Sequence, residues 1–312
     1  MKIAILGAGA TGCNVGGHLK LAGEEVYLVD PFQAHMDAIR EKGLVWHEND
    51  GTIHEPIFFD GATNDAKEIG ECDVVILQTK CPYSKSAIEG HMELFGENTT
   101  VITLQNGMGA TEILQEYFPA ERIGYGILYS GGAIIEPGHT IMYHTDRNIL
   151  FRRMAGGKND VFTHLENAFN QSDFPVEYCE EIDKIIWTKL GVNCMCNMPC
   201  GIARLDIKAL YTHEDGYDLT AEIAKEVAAV ANALGIPVDV AEIMANRDTV
   251  RAGQYTGYPS GTQDIMNKKQ TEVDFLNGAV ARIGKRVGVP TPVNATIAQL
   301  ARILQGTYAQ QF

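Results

Sequence analysis

Apolar positions fall into two regimes along the chain. Over the first half they form short continuous runs: Lys2–Leu6, Glu25–Val29, Asp73–Leu77, Thr100–Leu104 and Ile123–Tyr129. Segments with helical character separate them, at Ala10–Ala22, Phe32–Lys42 and Ser84–Phe95. Continuous apolar strands alternating with helices predict a mostly parallel, doubly wound sheet, because such strands are buried on both faces. Leu44–Phe59 reads as a hairpin turning at Asn49-Asp50-Gly51. His139–Tyr143, Asn148–Phe151 and Val176–Tyr178 read as late strands, with a helix over Val161–Asn170.

From Ile182 onward the spacing is helical almost throughout. Glu222–Leu234 places Ile223, Val227, Val230 and Leu234 on one face and stops at Gly235-Ile236-Pro237. Val240–Ala252, Thr271–Val287 and Ala295–Leu304 are further predicted helices. The pattern therefore predicts an α/β domain over residues 1–180 and an all-helical domain over 181–312, abutting without a flexible linker and leaving a cleft between them.

Composition narrows the function. A chain of 312 residues has the length of about two domains and can bury a core without disulfides or metals. Its net charge of -15 repels phosphate backbones, which argues against nucleic-acid binding. Seven cysteines, an odd number, with no secretory signal at the N-terminus and no run long enough to span a membrane, point to reduced thiols in a cytoplasmic protein. Cys194, Cys196 and Cys200 have no standard zinc spacing and fit buried helix thiols better than a metal site. The helical half has apolar surface enough for a homodimer, and a monomer fits the pattern equally well.

Gly7-Ala8-Gly9-Ala10-Thr11-Gly12 follows the first strand and opens the first helix, in the G-x-G-x-x-G pattern of a Rossmann-type dinucleotide site. Gly7 would permit the tight turn, Gly9 the approach of backbone to a diphosphate, and Gly12 close helix–strand packing, with Ala10 and Thr11 at the helix N-terminus that receives the anion. Asp30 ends the second strand 18 residues after Gly12, where a carboxylate hydrogen-bonds the ribose diol of NAD and repels the 2′-phosphate of NADP. Lys80 either neutralises a phosphate, pairs with an acid such as Asp30, or is a solvated lysine.

In the second half, Lys189, Asn193 and Asn197 are spaced four apart along one helix face, either as an exposed polar stripe or as a site. Gln105-Asn106-Gly107-Met108-Gly109 closes a strand, where an α/β sheet presents ligands. Ser260-Gly261-Thr262-Gln263-Asp264 and Thr271-Glu272-Val273-Asp274-Phe275-Leu276-Asn277-Gly278 form a second polar cluster. With these motifs and Trp187-Thr188-Lys189-Leu190-Gly191-Val192-Asn193, the chain resembles the ketopantoate reductase family over nearly its whole length.

The resemblance implies a Rossmann domain plus a helical domain with substrate between them, and reduction of a 2-oxo acid to the (R)-2-hydroxy acid. It implies Lys189 as general acid and Glu272 as its partner near the nicotinamide ribose, with Asn106, Asn193, Asn197 and Ser260 holding cofactor and substrate oxygens. An ammonium beside a ketone oxygen stabilises the charge formed on reduction and delivers the proton, without a metal. Asp30, Gly257 and Gly261 depart from the family pattern. They look like its NAD-dependent D-2-hydroxyacid dehydrogenase branch, of D-mandelate dehydrogenase type, in which two glycines would leave room for a bulky substrate group. Ketopantoate reduction itself is the alternative.

Overall fold

The computed structural model describes residues 1–48, 50–143, 148–253 and 256–311. The chain divides into two compact units, Met1–Gln105 with Ala110–Ile182, and Asn106–Gly109 with Asp183–Phe312.

The strands of the first unit are β1 (Lys2–Leu6), β2 (Glu25–Val29), β3 (Val45–Glu48), β4 (Gly61–Thr63), β5 (Cys72–Leu77), β6 (Phe95–Thr103), β7 (Ile123–Leu128), β8 (Gly131–Glu136), β9 (His139–Tyr143), β10 (Ile149–Arg153) and β11 (Val176–Tyr178). Its helices are α1 (Ala10–Leu21), α2 (Gln33–Lys42), α3 (Ser84–Gly90), α4 (Ala110–Gln115) and α5 (Asp160–Gln171). Among the described residues the larger sheet runs β11-β10-β7-β6-β5-β1-β2-β4. It is parallel from β4 to β7, and β10 adds antiparallel to β7. Successive side chains go to opposite faces. Ile3 and Ile5 join one core with Val26, Leu28 and Val74, while Ala4 and Leu6 join the other with Val29, Val75 and Leu77. Both faces are covered, which is why these strands read as unbroken apolar runs.

The predicted hairpin over Leu44–Phe59 forms as an irregular one, its second limb too broken to be a strand. β3 pairs in parallel with β9 in a three-stranded sheet ordered β3-β9-β8, and the returning limb pairs antiparallel with residues 44–48 through the bridges Leu44↔Ile57 and His47↔Ile53 and through backbone hydrogen bonds from His54 to Trp46 at 2.9 Å and from Glu48 to Thr52 at 2.8 Å. Asn49 of the predicted turn lies outside the described residues. This sheet packs on α1, where Gly17 admits Trp46: a Cβ at Gly17 would stand 2.1 Å from the indole.

The second unit is helical: α6 (Ile182–Ala203), α7 (Ile207–Thr212), α8 (Glu214–Ala233), α9 (Val240–Arg251), α10 (Ser260–Met266), α11 (Asn277–Val287) and α12 (Pro292–Gly306). Its core gathers Trp187, Leu190, Met195 and Met198 of α6 with Ile223 and Val227 of α8, Ile243 of α9 and Val280 of α11. Cys194, Cys196 and Cys200 lie in the same core, and burial pushes their thiols well up, Cys196 to about 12. The predicted helix over Thr271–Val287 is broken. Val273–Phe275 is a single 3₁₀ turn, and α11 starts only at Asn277. No helix among the described residues is long and apolar enough to cross a membrane.

Candidate functional site

In the first unit, the β1–α1 turn has the geometry that its glycines foretell. Gly7 adopts φ +102°, and a Cβ there would stand 2.3 Å from the Thr79 backbone nitrogen. A Cβ on Gly12 would stand 2.0 Å from the Gly7 carbonyl oxygen, so helix and turn touch backbone to backbone. Gly9 differs. Its absent side chain would meet nothing within 4 Å, so backbone is open to a ligand there. Gly9 caps α1 with no side-chain hydrogen bond, and the first turn, which includes Ala10 and Thr11, holds no acid. Uncapped N–H groups at a helix N-terminus favour an anion. The turn therefore fits a dinucleotide's diphosphate.

Asp30 stands half-buried just past β2. Burial pushes its carboxyl up, while the Phe32 N–H at 2.9 Å and the nearby His35 pull it back. His35, wholly buried, accepts the Gly138 N–H at Nδ1 over 2.9 Å, which leaves the ring proton on Nε2, 3.4 Å from Cys13 Sγ. Burial lowers the affinity of His35 for a second proton, Asp30 opposing. Lys80 is half-buried after β5, heading the short turn Cys81–Tyr83. The loop before it is anchored by Gln105, whose Nε2 donates to the Thr79 carbonyl at 2.6 Å and to Ser84 Oγ at 2.9 Å.

In the second unit, Lys189 and Asn193 are half-buried on α6, and Glu272 is half-buried just before the 3₁₀ turn. Burial pushes the Lys189 ammonium down to about 8, with the charge of Glu272 acting in the opposite direction. The Asn193 carboxamide makes no hydrogen bond to another described residue. Asn197 is buried, and its carboxamide is bound to the start of α10, where Ser260 is exposed. Gly261 does not open a pocket as the sequence suggested. A Cβ there would meet Met198 Cε at 2.5 Å and Asn197 Cβ at 3.0 Å, so the glycine serves close packing of α10 on α6. Gly257 adopts φ +143°, a backbone reason for glycine.

Asn106, exposed, heads a loop stapled to the turn that follows Glu272. The Met108 N–H donates to the Phe275 carbonyl at 2.8 Å. Gly107, at φ +89°, has room for no Cβ, which would stand 2.3 Å from that same oxygen. Arg282 spans both pieces, donating to the Asp274 carbonyl at 3.1 Å and to the Met108 carbonyl at 3.5 Å. Thr271 is anchored by Gln305 of α12 at 2.7 Å. Among the described residues no group of three or more His, Cys, Asp or Glu side chains is arranged for a metal.

The family model for ketopantoate reductase PanE/ApbA matches residues 3–155, and that for its C-terminal domain matches residues 181–305. The chain belongs to the ketopantoate reductase family. It is an oxidoreductase family, and the relatives align along the full length. A 2-dehydropantoate 2-reductase of Streptococcus pyogenes is 30% identical over 96% of each chain. One of Pyrococcus horikoshii is 32% identical over 97% of each. A solved D-mandelate dehydrogenase holding NADH and anilino(oxo)acetate superposes with a TM-score of 0.89 at 29% identity, covering 99% of this chain and all of that one. Two anchoring residues escape a motif reading of this family chain. Arg282 and Gln305 are ordinary polar residues whose roles come from partners remote in sequence.

Proposed function

We propose that the protein reduces a 2-oxo acid to the (R)-2-hydroxy acid with a nicotinamide dinucleotide, 2-dehydropantoate being the leading substrate. The observation that carries this reading is Lys189: a half-buried lysine whose ammonium burial brings down to about 8, with the charge of an acid, Glu272, acting to keep it protonated. Gly7, Gly9, Ala10, Thr11 and Gly12 would hold the cofactor's diphosphate, Asp30 the adenosine ribose diol, and Lys80, Asn106 and Glu272 further groups of the cofactor. When bound, that cofactor supplies a hydride. Lys189 stabilises the charge that develops on the substrate's carbonyl oxygen and gives it the proton. Asn193 and Ser260 bind substrate oxygens through neutral donors.

The names of the relatives favour 2-dehydropantoate. Asp30 favours NADH, since a 2′-phosphate would meet a carboxylate. That acid, and the likeness to an NADH-holding D-mandelate dehydrogenase, also support a second reading as a D-2-hydroxyacid dehydrogenase. The roomy-pocket argument for that reading falls with the packing role of Gly261.

NADH and NADPH oxidation against 2-dehydropantoate, 2-oxoisovalerate and benzoylformate tests the proposal. Turnover of 2-dehydropantoate with the highest kcat/KM, and faster with NADH, is expected, and Asp30→Ala should lose most of the NADH preference. Benzoylformate as the best substrate would shift the assignment to the second reading. Failure on all three acids would end both.

A further inference from the structure

Three members of the α6 stripe share a face, yet their surroundings divide them. The Asn193 carboxamide has no described protein partner. That of Asn197 has no capacity left. Its Oδ1 accepts the Gly261 N–H at 2.7 Å and the Ser260 hydroxyl at 3.1 Å. Its Nδ2 donates to the Asn193 backbone carbonyl at 3.1 Å and lies 3.8 Å from Cys196 Sγ. The orientation is unambiguous, because a flipped amide would set an N–H₂ group against the Gly261 N–H. The Asn197 backbone carbonyl accepts the Thr262 hydroxyl at 3.0 Å, so three consecutive residues of α10 bond to this one residue. α10 itself begins after Pro259 with no side-chain cap of its own. Asn197 supplies from α6 the acceptor that the first turn lacks. Its side chain is only 4% exposed.

We propose that Asn197 is a positioning residue for Ser260: its carboxamide fixes the serine hydroxyl and the first turn of α10, and does not itself touch substrate. The inference rests on the reading that Ser260 binds the 2-oxo acid. It leaves Lys189 and Asn193 as the members of the stripe that meet ligand. Gly261 is the complement of this device, since a Cβ there would stand 3.0 Å from both Cβ and Oδ1 of Asn197 and crowd the amide.

A double-mutant cycle tests it, with 2-dehydropantoate and benzoylformate as probes and NADH as reductant. Asn197→Ala and Ser260→Ala should each raise KM on the order of tenfold with kcat changed by less than about threefold, as for a lost uniform binding contact. The double variant should be no worse than the weaker single, and the Kd of NADH, read by fluorescence, should not move. Gly261→Ala should raise KM for both acids alike, and stands in for Asn197→Ala should that variant fail to fold. Additive effects in the double variant, or a Gly261→Ala penalty confined to benzoylformate, would overturn the proposal. Hydrogen exchange supplies an arm independent of any substrate. The Gly261 amide should be protected in the wild type and lose that protection in Asn197→Ala; an unprotected Gly261 amide in the wild type contradicts the proposal even if no 2-oxo acid is turned over. Failure of the functional reading alone would show as no turnover with that amide still protected.

Discussion

Two opposed influences set the proton affinity of Lys189. Burial lowers it from the ordinary lysine value to about 8, and the charge of Glu272 raises it. A general acid must carry its proton when the oxygen needs it. Reduction should therefore be fastest below pH 8 and fall as pH rises through the Lys189 midpoint, about tenfold per unit well above it. Oxidation of the hydroxy acid, which needs the neutral amine, should rise through the same midpoint. Glu272→Gln removes the influence that raises the affinity, so its midpoint should move to lower pH. A midpoint that stays put or moves up, in pH–kcat profiles of the two proteins, would detach Glu272 from the lysine. Asn197 shows the limit of reading single residues. Its spacing from Lys189 and Asn193 was visible in sequence, but its commitment to Ser260 and Gly261 depends on a helix 63 residues further on.

At the scale of elements, the legible parts were those whose local pattern and tertiary fate agree. β1, β2 and β5 are buried on both faces and show it as continuous apolar runs. The G-x-G-x-x-G turn was legible because Gly7 and Gly12 each answer a backbone need while Gly9 leaves the backbone open. The three glycines also predict separable effects. Gly12→Ala drives a Cβ into the Gly7 carbonyl and should cost about 1–3 kcal/mol of stability, as overpacking does. Gly9→Ala meets no atom of the protein, so Tm should hold while NADH affinity falls. Thermal unfolding and fluorescence titration separate the two; a Gly9→Ala protein that binds NADH as tightly as wild type would move the diphosphate away from this turn. The break in the Thr271–Val287 run was illegible for the opposite reason. The Phe275 carbonyl accepts the Met108 N–H, and the Ala279 N–H turns to Leu276 instead. The helical pattern is overridden by a loop from the other half of the sequence. β3 likewise takes, beside the adjacent limb of its hairpin, a second partner in β9 that lies far along the chain and that the local pattern does not show.

For the molecule as a whole, two compact units carry two kinds of chemistry. The α/β unit offers an open helix N-terminus and an acid after β2, and the helical unit offers a lysine, an amide and a hydroxyl on α6 and α10. A chain with net charge -15 would meet the proposed anionic substrate through such local features and not through its overall field. The resemblance read from the motifs agrees with family models spanning both halves. Substrate choice was less legible, because Gly257 and Gly261, which looked like space, serve backbone conformation and packing. The central claim is that Lys189 delivers the proton, and the kcat of Lys189→Ala measures it most directly. With NADH binding verified by fluorescence, kcat for the best 2-oxo acid should fall by ~10²–10⁴. A folded Lys189→Ala protein that binds NADH and keeps the wild-type kcat would contradict the account, since the proton would then come from another group.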